Sequence, residues 1–212
     1  MKFTTCSPSL LFAVLFPFLS IAATTTQAAE SEGPQATVTG LLGLAQVAHA
    51  GSPYAAVKVG TVLKIGDQIQ TANGSAVDLS FGKSIGTVRL LQSTTLEVNA
   101  LSSTVVDLNL KGGQLISKWK KQPAGSKFQV DVSAGIAGIL EGEFRLDARG
   151  YLVLLEGTAL FAETRGEGEP VLHTLKADKP VYFSPTEHAI LPVPKELQRE
   201  VSKQLKAKLP KG

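Results

Sequence analysis

Four carboxylates crowd one part of this 212-residue chain: Glu141, Glu143 and Asp147 stand close together, and Glu156 follows shortly after. A glycoside hydrolase needs two such groups about 5 to 10 Å apart across a cleft, one held protonated and one ionised. The local pattern offers a plainer account. Glu143 and Asp147 flank the alternating apolar Phe144 and Leu146, as the solvated residues of a strand do, and Glu156 precedes Gly157 as a turn residue would. Gly82-Lys83-Ser84-Ile85-Gly86 has the Gly-x-Ser-x-Gly spacing but joins two strand patterns instead of opening a helix, so no serine stands in a strand-to-helix elbow and nucleophilic hydrolysis has no starting point. A carboxylate-dependent hydrolase is therefore the third reading in order, and no catalytic residue is assigned.

The remaining chemistry-bearing residues are scattered. His49, His173 and His188 are the only histidines, and none has a second ligand at a recurring metal spacing. No metal and no cofactor is expected, although a sheet could bring His173 and His188 together. The sole cysteine, Cys6, precedes an apolar stretch, so the mature chain is expected to have neither disulfides nor thiolate chemistry. Gly82-Lys83-Ser84 lacks the upstream glycine of a phosphate-binding loop, because Val77 occupies that place. It reads as a solvated turn. Asn73-Gly74-Ser75 is formally a glycosylation sequon, but its turn chemistry accounts for all three residues. Trp119, set among Lys118, Lys120 and Lys121, could stack on a sugar or base; at the spacing of Leu115 it reads instead as a core residue of a strand.

What must position these groups is a series of short strands. Hydrophobic residues make up 43% and charged residues 18% of the chain, the balance of a globular protein with a sizeable core. A net charge of +3 is too small to argue for nucleic acid. Met1 and Lys2 followed by the apolar Leu10 to Ala23 and a small-residue exit predict a signal peptide over residues 1–29, with a disordered linker over 30–35. From Ala36, strand patterns recur every eight to twelve residues or so, the spacing of an all-β domain. Asn73-Gly74 and Gly112-Gly113 predict hairpins. Phe128, Val130 and Val132 alternate with polar neighbours, while Tyr151–Leu155 is an unbroken apolar run of the kind a strand covered on both faces shows. Gly150 and Gly157 are expected to mark the turns around that run. Three short strands separated by Pro180 and Pro185 follow, and the β domain is expected to span 36–191.

Residues 192–212 change character. Leu197, Val201 and Leu205 recur on one side of a helical pattern that starts at Pro194 and carries Arg199 and Lys203, among other bases, on the other. This basic amphipathic helix is the candidate interaction surface. It could dock on the chain's own sheet, enter a partner's groove or lie on an anionic membrane surface.

In its order of pieces, the chain from about Val59 to Thr186 resembles the FecR-like family, the periplasmic β domain of ferric-citrate-type regulators. The resemblance rests on VGTVLKIGDQIQT, GSAVDLSFGKSIGTVRLLQSTTLEV, LNLKGGQLIS, and SKFQVDVSAGIAGILEGEFRL followed by YLVLLEGTALF. It implies an all-β fold, an antiparallel sandwich or a short solenoid or jelly-roll-like domain, and a regulatory role in which another envelope protein is bound. Three departures stand out. Regulators of the family typically join this domain to a membrane helix and a cytoplasmic segment, whereas here a signal peptide is expected instead. The family often has Gly-Thr-x-Phe at a central turn, where this chain has the shorter Gly142-Glu143-Phe144, and commonly Asp-Gly-Ser where Gly82-Lys83-Ser84 stands.

The expectation is a non-enzymatic module, periplasmic or secreted, with no transmembrane helix after cleavage of the signal peptide. Its partner is another envelope protein. The alternative is a glycan- or lipid-binding envelope module.

Overall fold

A computed structural model describes residues 35–82 and 85–210. The expected signal peptide with Cys6, the linker up to residue 34, Lys83, Ser84 and the last two residues lie outside the described residues.

Among the described residues, sixteen strands form one continuous sheet. The first half of the chain supplies β1 (Ala36–Leu42), β2 (Ala45–Ala48), β3 (Ala55–Ala56), β4 (Val62–Leu63), β5 (Gln68–Thr71), β6 (Ala76–Ser80), β7 (Gly86–Leu90) and β8 (Thr95–Leu101). The second half supplies β9 (Val105–Gly112), β10 (Gln114–Trp119), β11 (Lys127–Val132), β12 (Gly135–Asp147), β13 (Leu152–Glu163), β14 (Val171–Ala177), β15 (Val181–Ser184) and β16 (Ala189–Pro192), then α1 (Lys195–Lys206). The expected all-β class with a C-terminal helix is what forms.

The order β3-β2-β5-β8-β9-β11-β12-β10-β7-β6-β1-β4 makes β12 the centre. Its first half pairs with β11, from Val132↔Gly135 to Gln129↔Gly138. Its second half pairs with β10, from Trp119↔Gly142 to Gln114↔Asp147. Two wings diverge from β12 and curl around one core. All pairs are antiparallel except β9 with β11, which run parallel. Alternation explains the packing: Val77 and Leu79 of one wing, and Leu96, Val98, Leu108 and Val130 of the other, are all buried in the same cluster.

This curl corrects the two expected hairpins. Gly74 has the positive φ of 69° that its Asn-Gly turn predicts. Yet β5 pairs with β2 and β8, while β6 pairs with β1 and β7. The links at Gly74 and Gly113 carry the chain from one wing to the other. Turn chemistry sets a local dihedral; which strands pair is decided by burying both apolar rows against one core. These corners are tied to each other by side chains. Thr94 donates its Oγ1 hydrogen to the Gln114 carbonyl at 2.9 Å, and the Thr94 amide donates to Thr71 Oγ1 at 2.9 Å.

A second correction concerns the carboxylate-rich stretch. Gly142-Glu143-Phe144 is not a turn but the middle of β12, and Gly157 is not a turn but its partner within β13. Gly150 does turn the chain between β12 and β13, with φ 100°.

Candidate functional site

Asp147 and Glu143 separate chemically although they share β12. Lys118 pairs with Glu143, and that carboxylate raises the Lys118 pKa. Asp147 accepts from the Arg149 side chain at 2.9 Å and from Gln114 Nε2 at 3.1 Å. Burial pushes its carboxyl up, but those donors outweigh it and hold the pKa below the ordinary aspartate value. Glu156 lies opposite Glu143 on β13. Each of these two carboxylates, Glu143 and Asp147, is thus matched to a base on its own part of the sheet.

His173 and His188 do come together, on a residue the pattern did not single out. Glu163, at the end of β13, is 2% exposed. His188 Nδ1 hydrogen-bonds its Oε1, and Oε2 accepts from His173 Nε2 at 2.9 Å and from Arg165 Nε at 2.8 Å. Burial raises the Glu163 pKa, yet the donors from Arg165, His188 and His173 prevail and hold it at about 2. Both facing ring nitrogens are consumed by the carboxylate. Among the described residues no hydroxyl hydrogen-bonds either histidine; Ser184 Oγ contacts Thr186 Oγ1 and the Glu187 amide instead. The cluster ties β14 and the β15–β16 turn to β13. Its signal in the sequence was the register alone, since Phe161 pairs with His173 and Glu163 with Val171. His49 lies elsewhere, against Asp67 at 2.9 Å.

The C-terminal helix lies on the outer face of the sheet. Beneath it runs one register row: Gly40, Asp78, Arg89, Ile116, Arg145, Val153 and Tyr182 are consecutive cross-strand partners. Val201 is fully buried, and Ile116 and Val153 are buried without belonging to the main core. That second layer explains the unbroken apolar run of β13, whose outward Val153 is covered as its inward neighbours are. Arg145 Nη1 reaches Glu200 Oε1 at 3.1 Å. Leu197 and Leu205 are half-buried, whereas Arg199 and Lys203 are exposed and form an open basic face of α1 with Lys195 and Lys206.

Another exposed feature is an edge. β14 pairs only with β13, leaving one side of Val171–Ala177 without a ladder partner. A register row, Ile136, Ala162 and Leu172, crosses β12, β13 and β14 beside that edge. Leu172 is 63% and Ile136 41% exposed. An unpaired strand with apolar side chains alongside is suited to adding a strand from another chain. No helix among the described residues is long and apolar enough to cross a membrane.

Residues 67–160 match the family model described as FecR protein. Two crystal structures from Parabacteroides distasonis ATCC 8503, at 2.50 and 1.65 Å, of a protein described as a candidate anti-sigma factor are similar in fold. They share 14% and 13% sequence identity with this chain at a TM-score of 0.50 each, covering 66% of it in both comparisons. The chain spans 64% and 65% of that protein, less than two thirds of its length. Among curated proteins, no relative matches.

Proposed function

We propose, from the match of residues 67–160 to the FecR protein family model, that this chain is an exported, non-enzymatic regulatory module that acts by binding another protein of the cell envelope. In this reading residues 1–29 are a removed signal peptide, 30–35 a linker, 36–191 the binding domain and 192–212 its helical appendage. The observation that carries it is the free edge of β14, which bears exposed Leu172, with exposed Ile136 two strands inward in the same register row. Main-chain groups of such an edge supply affinity, and the flanking apolar side chains supply specificity. The exposed Arg199 and Lys203 of α1 offer a second contact, suited to an anionic surface on the same partner or on the membrane.

The test places a photo-crosslinking amino acid at Leu172 or, in a second variant, at Arg199, and irradiates each protein in an envelope preparation. A single dominant protein adduct that disappears with Ile136→Glu is the expected result. Absence of any adduct from the folded protein overturns the edge reading, and an adduct obtained only from position 199 moves the interface to α1.

A further inference from the structure

Three of the links that carry the chain from wing to wing, at Gly74, Gln92 and Gly113, end beside the turns at Ser133 and Ala148. Main-chain hydrogen bonds tie them together: the Ser93 amide donates to the Ala72 carbonyl at 3.2 Å, the Ala148 amide to Gly113 at 3.0 Å and the Ser133 amide to Ala148 at 3.0 Å. Between these links and α1, whose Glu200 and Gln204 form the far wall, lies a groove of about 810 Å³. A narrower cleft of about 340 Å³ has Gln114, Asp147 and Arg149 in common with it and leads to Tyr151 and Tyr182. Both volumes are within the usual range of small-molecule sites.

Buried Asp147 organises the stretch where the two meet. Its carboxylate can only accept, and it takes one Nε2 hydrogen of Gln114 and the Nε and Nη2 hydrogens of Arg149. The amide and the guanidinium are thereby held in one orientation, each with a polar atom left over. Among the described residues Gln114 Oε1 has no partner, and it is not one of the enclosed polar atoms, so it opens to the groove. Arg149 Nη1 has no partner either, on a side chain 74% exposed whose guanidinium also lies 5.2 Å from the Tyr151 ring centre. Gln92 is fixed in the same manner: its Oε1 accepts from the Gly74 amide at 2.9 Å, which leaves its Nε2 hydrogens to a ligand. Every charge that lines the larger groove is met by one of opposite sign: Lys111 by Glu97, Arg149 by Asp147 and Glu200 by Arg145. Such a groove has no net pull on a strongly charged ligand, and its amides, hydroxyls and glycine main chain offer little to an apolar one. A fixed donor beside a fixed acceptor suits two neighbouring hydroxyls, since each hydroxyl both donates and accepts. An aromatic ring at one end suits the C–H face of a sugar.

We propose that this groove binds a neutral glycan: one sugar donates a hydroxyl hydrogen to Gln114 Oε1 and accepts at the neighbouring hydroxyl from Arg149 Nη1, the next sugar on one side accepts from Gln92 Nε2, and the next on the other side lies against Tyr182. The site involves no residue of the β14 edge and stands or falls independently of the protein partner.

The full chain is titrated with maltotriose, cellotriose and N,N′,N″-triacetylchitotriose while its backbone amide NMR signals are followed, with triglucosamine and trigalacturonate as cationic and anionic controls. The expected result is that at least one neutral trimer shifts the signals of Gly74, Ser93, Gly113 and Arg149 saturably and binds more tightly than either charged control. Arg149→Met removes a charged donor and weakens that trimer about tenfold or more. Gln114→Met, of similar shape, removes the acceptor and weakens it roughly fivefold, and Gln92→Met, at an exposed position, weakens it about threefold. Each variant is first shown to keep the wild-type spectrum away from the groove. The proposal is overturned if no neutral trimer gives saturable shifts, if the shifts fall outside the groove, if a charged trimer binds more tightly than every neutral one, or if Arg149→Met or Gln114→Met binds as the wild type does.

Discussion

Arg89 Nη1 donates to the main-chain carbonyl of Gln204 at 2.7 Å, so a residue of β7 holds the last turn of a helix far along the chain. The same guanidinium is gripped by Asp78 through two bonds of 2.6 and 2.9 Å. A cation at a helix C-terminus satisfies an orphan carbonyl and complements the helix dipole. Together with buried Val201 this fixes α1 on the sheet. Arg89→Met is expected to cost about 1.5–3 kcal/mol, because Asp78 loses its partner as well as the helix its cap. For a chain of this size that is a fall in Tm of roughly 3–12 °C. Val201→Asp, which puts a charge into the second layer, should cost more. Thermal unfolding of both variants checks this, and unchanged melting would show that the helix is not docked in solution.

Glu163 predicts an acid dependence. Its folded pKa of about 2 lies below the ordinary glutamate value of 4.5. A depressed carboxyl contributes stability that is fully present above the unfolded pKa and is lost as pH falls through the folded one. Glu163→Gln should therefore cost about 1–3 kcal/mol at neutral pH, where Arg165 and the two histidines lose a charged acceptor. The difference between wild type and variant should shrink steadily as pH falls from about 5 toward 2. Urea unfolding across that range measures it. A difference independent of pH would mean that the carboxylate's charge is not what the cluster uses.

The elements of this fold were legible in the sequence where period-2 alternation was strong, as in Phe128–Val132 and Val106–Leu110. The pairing was not. Asn73-Gly74 advertises a hairpin because its dihedral needs are those of one, but nothing within a few residues of it shows that Ile69 and Val77 approach the core from different wings. Helix docking was readable only as one option among three, since the row from Gly40 to Tyr182 that receives α1 is assembled from strands far apart in sequence. Glu163 escaped notice for the same reason: the partners that bury it stand ten and twenty-five residues away. The gap along β12 between Gly138 and Gly142 was invisible because it results from where the β11 and β10 ladders stop, not from any residue type.

The facing glycines at the centre of β12 and β13 lead to the last expectation. Gly142 and Gly157 face each other across β12 and β13, with φ of 132° and 97°. A Cβ at Gly142 would stand 2.0 Å from the Glu156 carbonyl oxygen, and one at Gly157 2.1 Å from that of Glu141. Both obstacles are main chain and cannot swing aside as a long side chain could. The register slips nearby, between Glu143 and Phe144, which places Phe144 inward beside Phe128 at a centroid distance of 6.2 Å. An alanine at either position must move the backbone, and the movement reaches Trp119, which pairs with Gly142. Gly142→Ala is expected to destabilise by roughly 2–4 kcal/mol, adding disallowed-φ strain to the collision. It should also shift the tryptophan emission of the folded protein. Gly138→Ala is the control, for its Cβ would meet nothing nearer than 3.8 Å and its φ is not in the left-handed range. Denaturant unfolding followed at Trp119 compares the two; equal stability would mean that β12 accommodates a side chain at its centre.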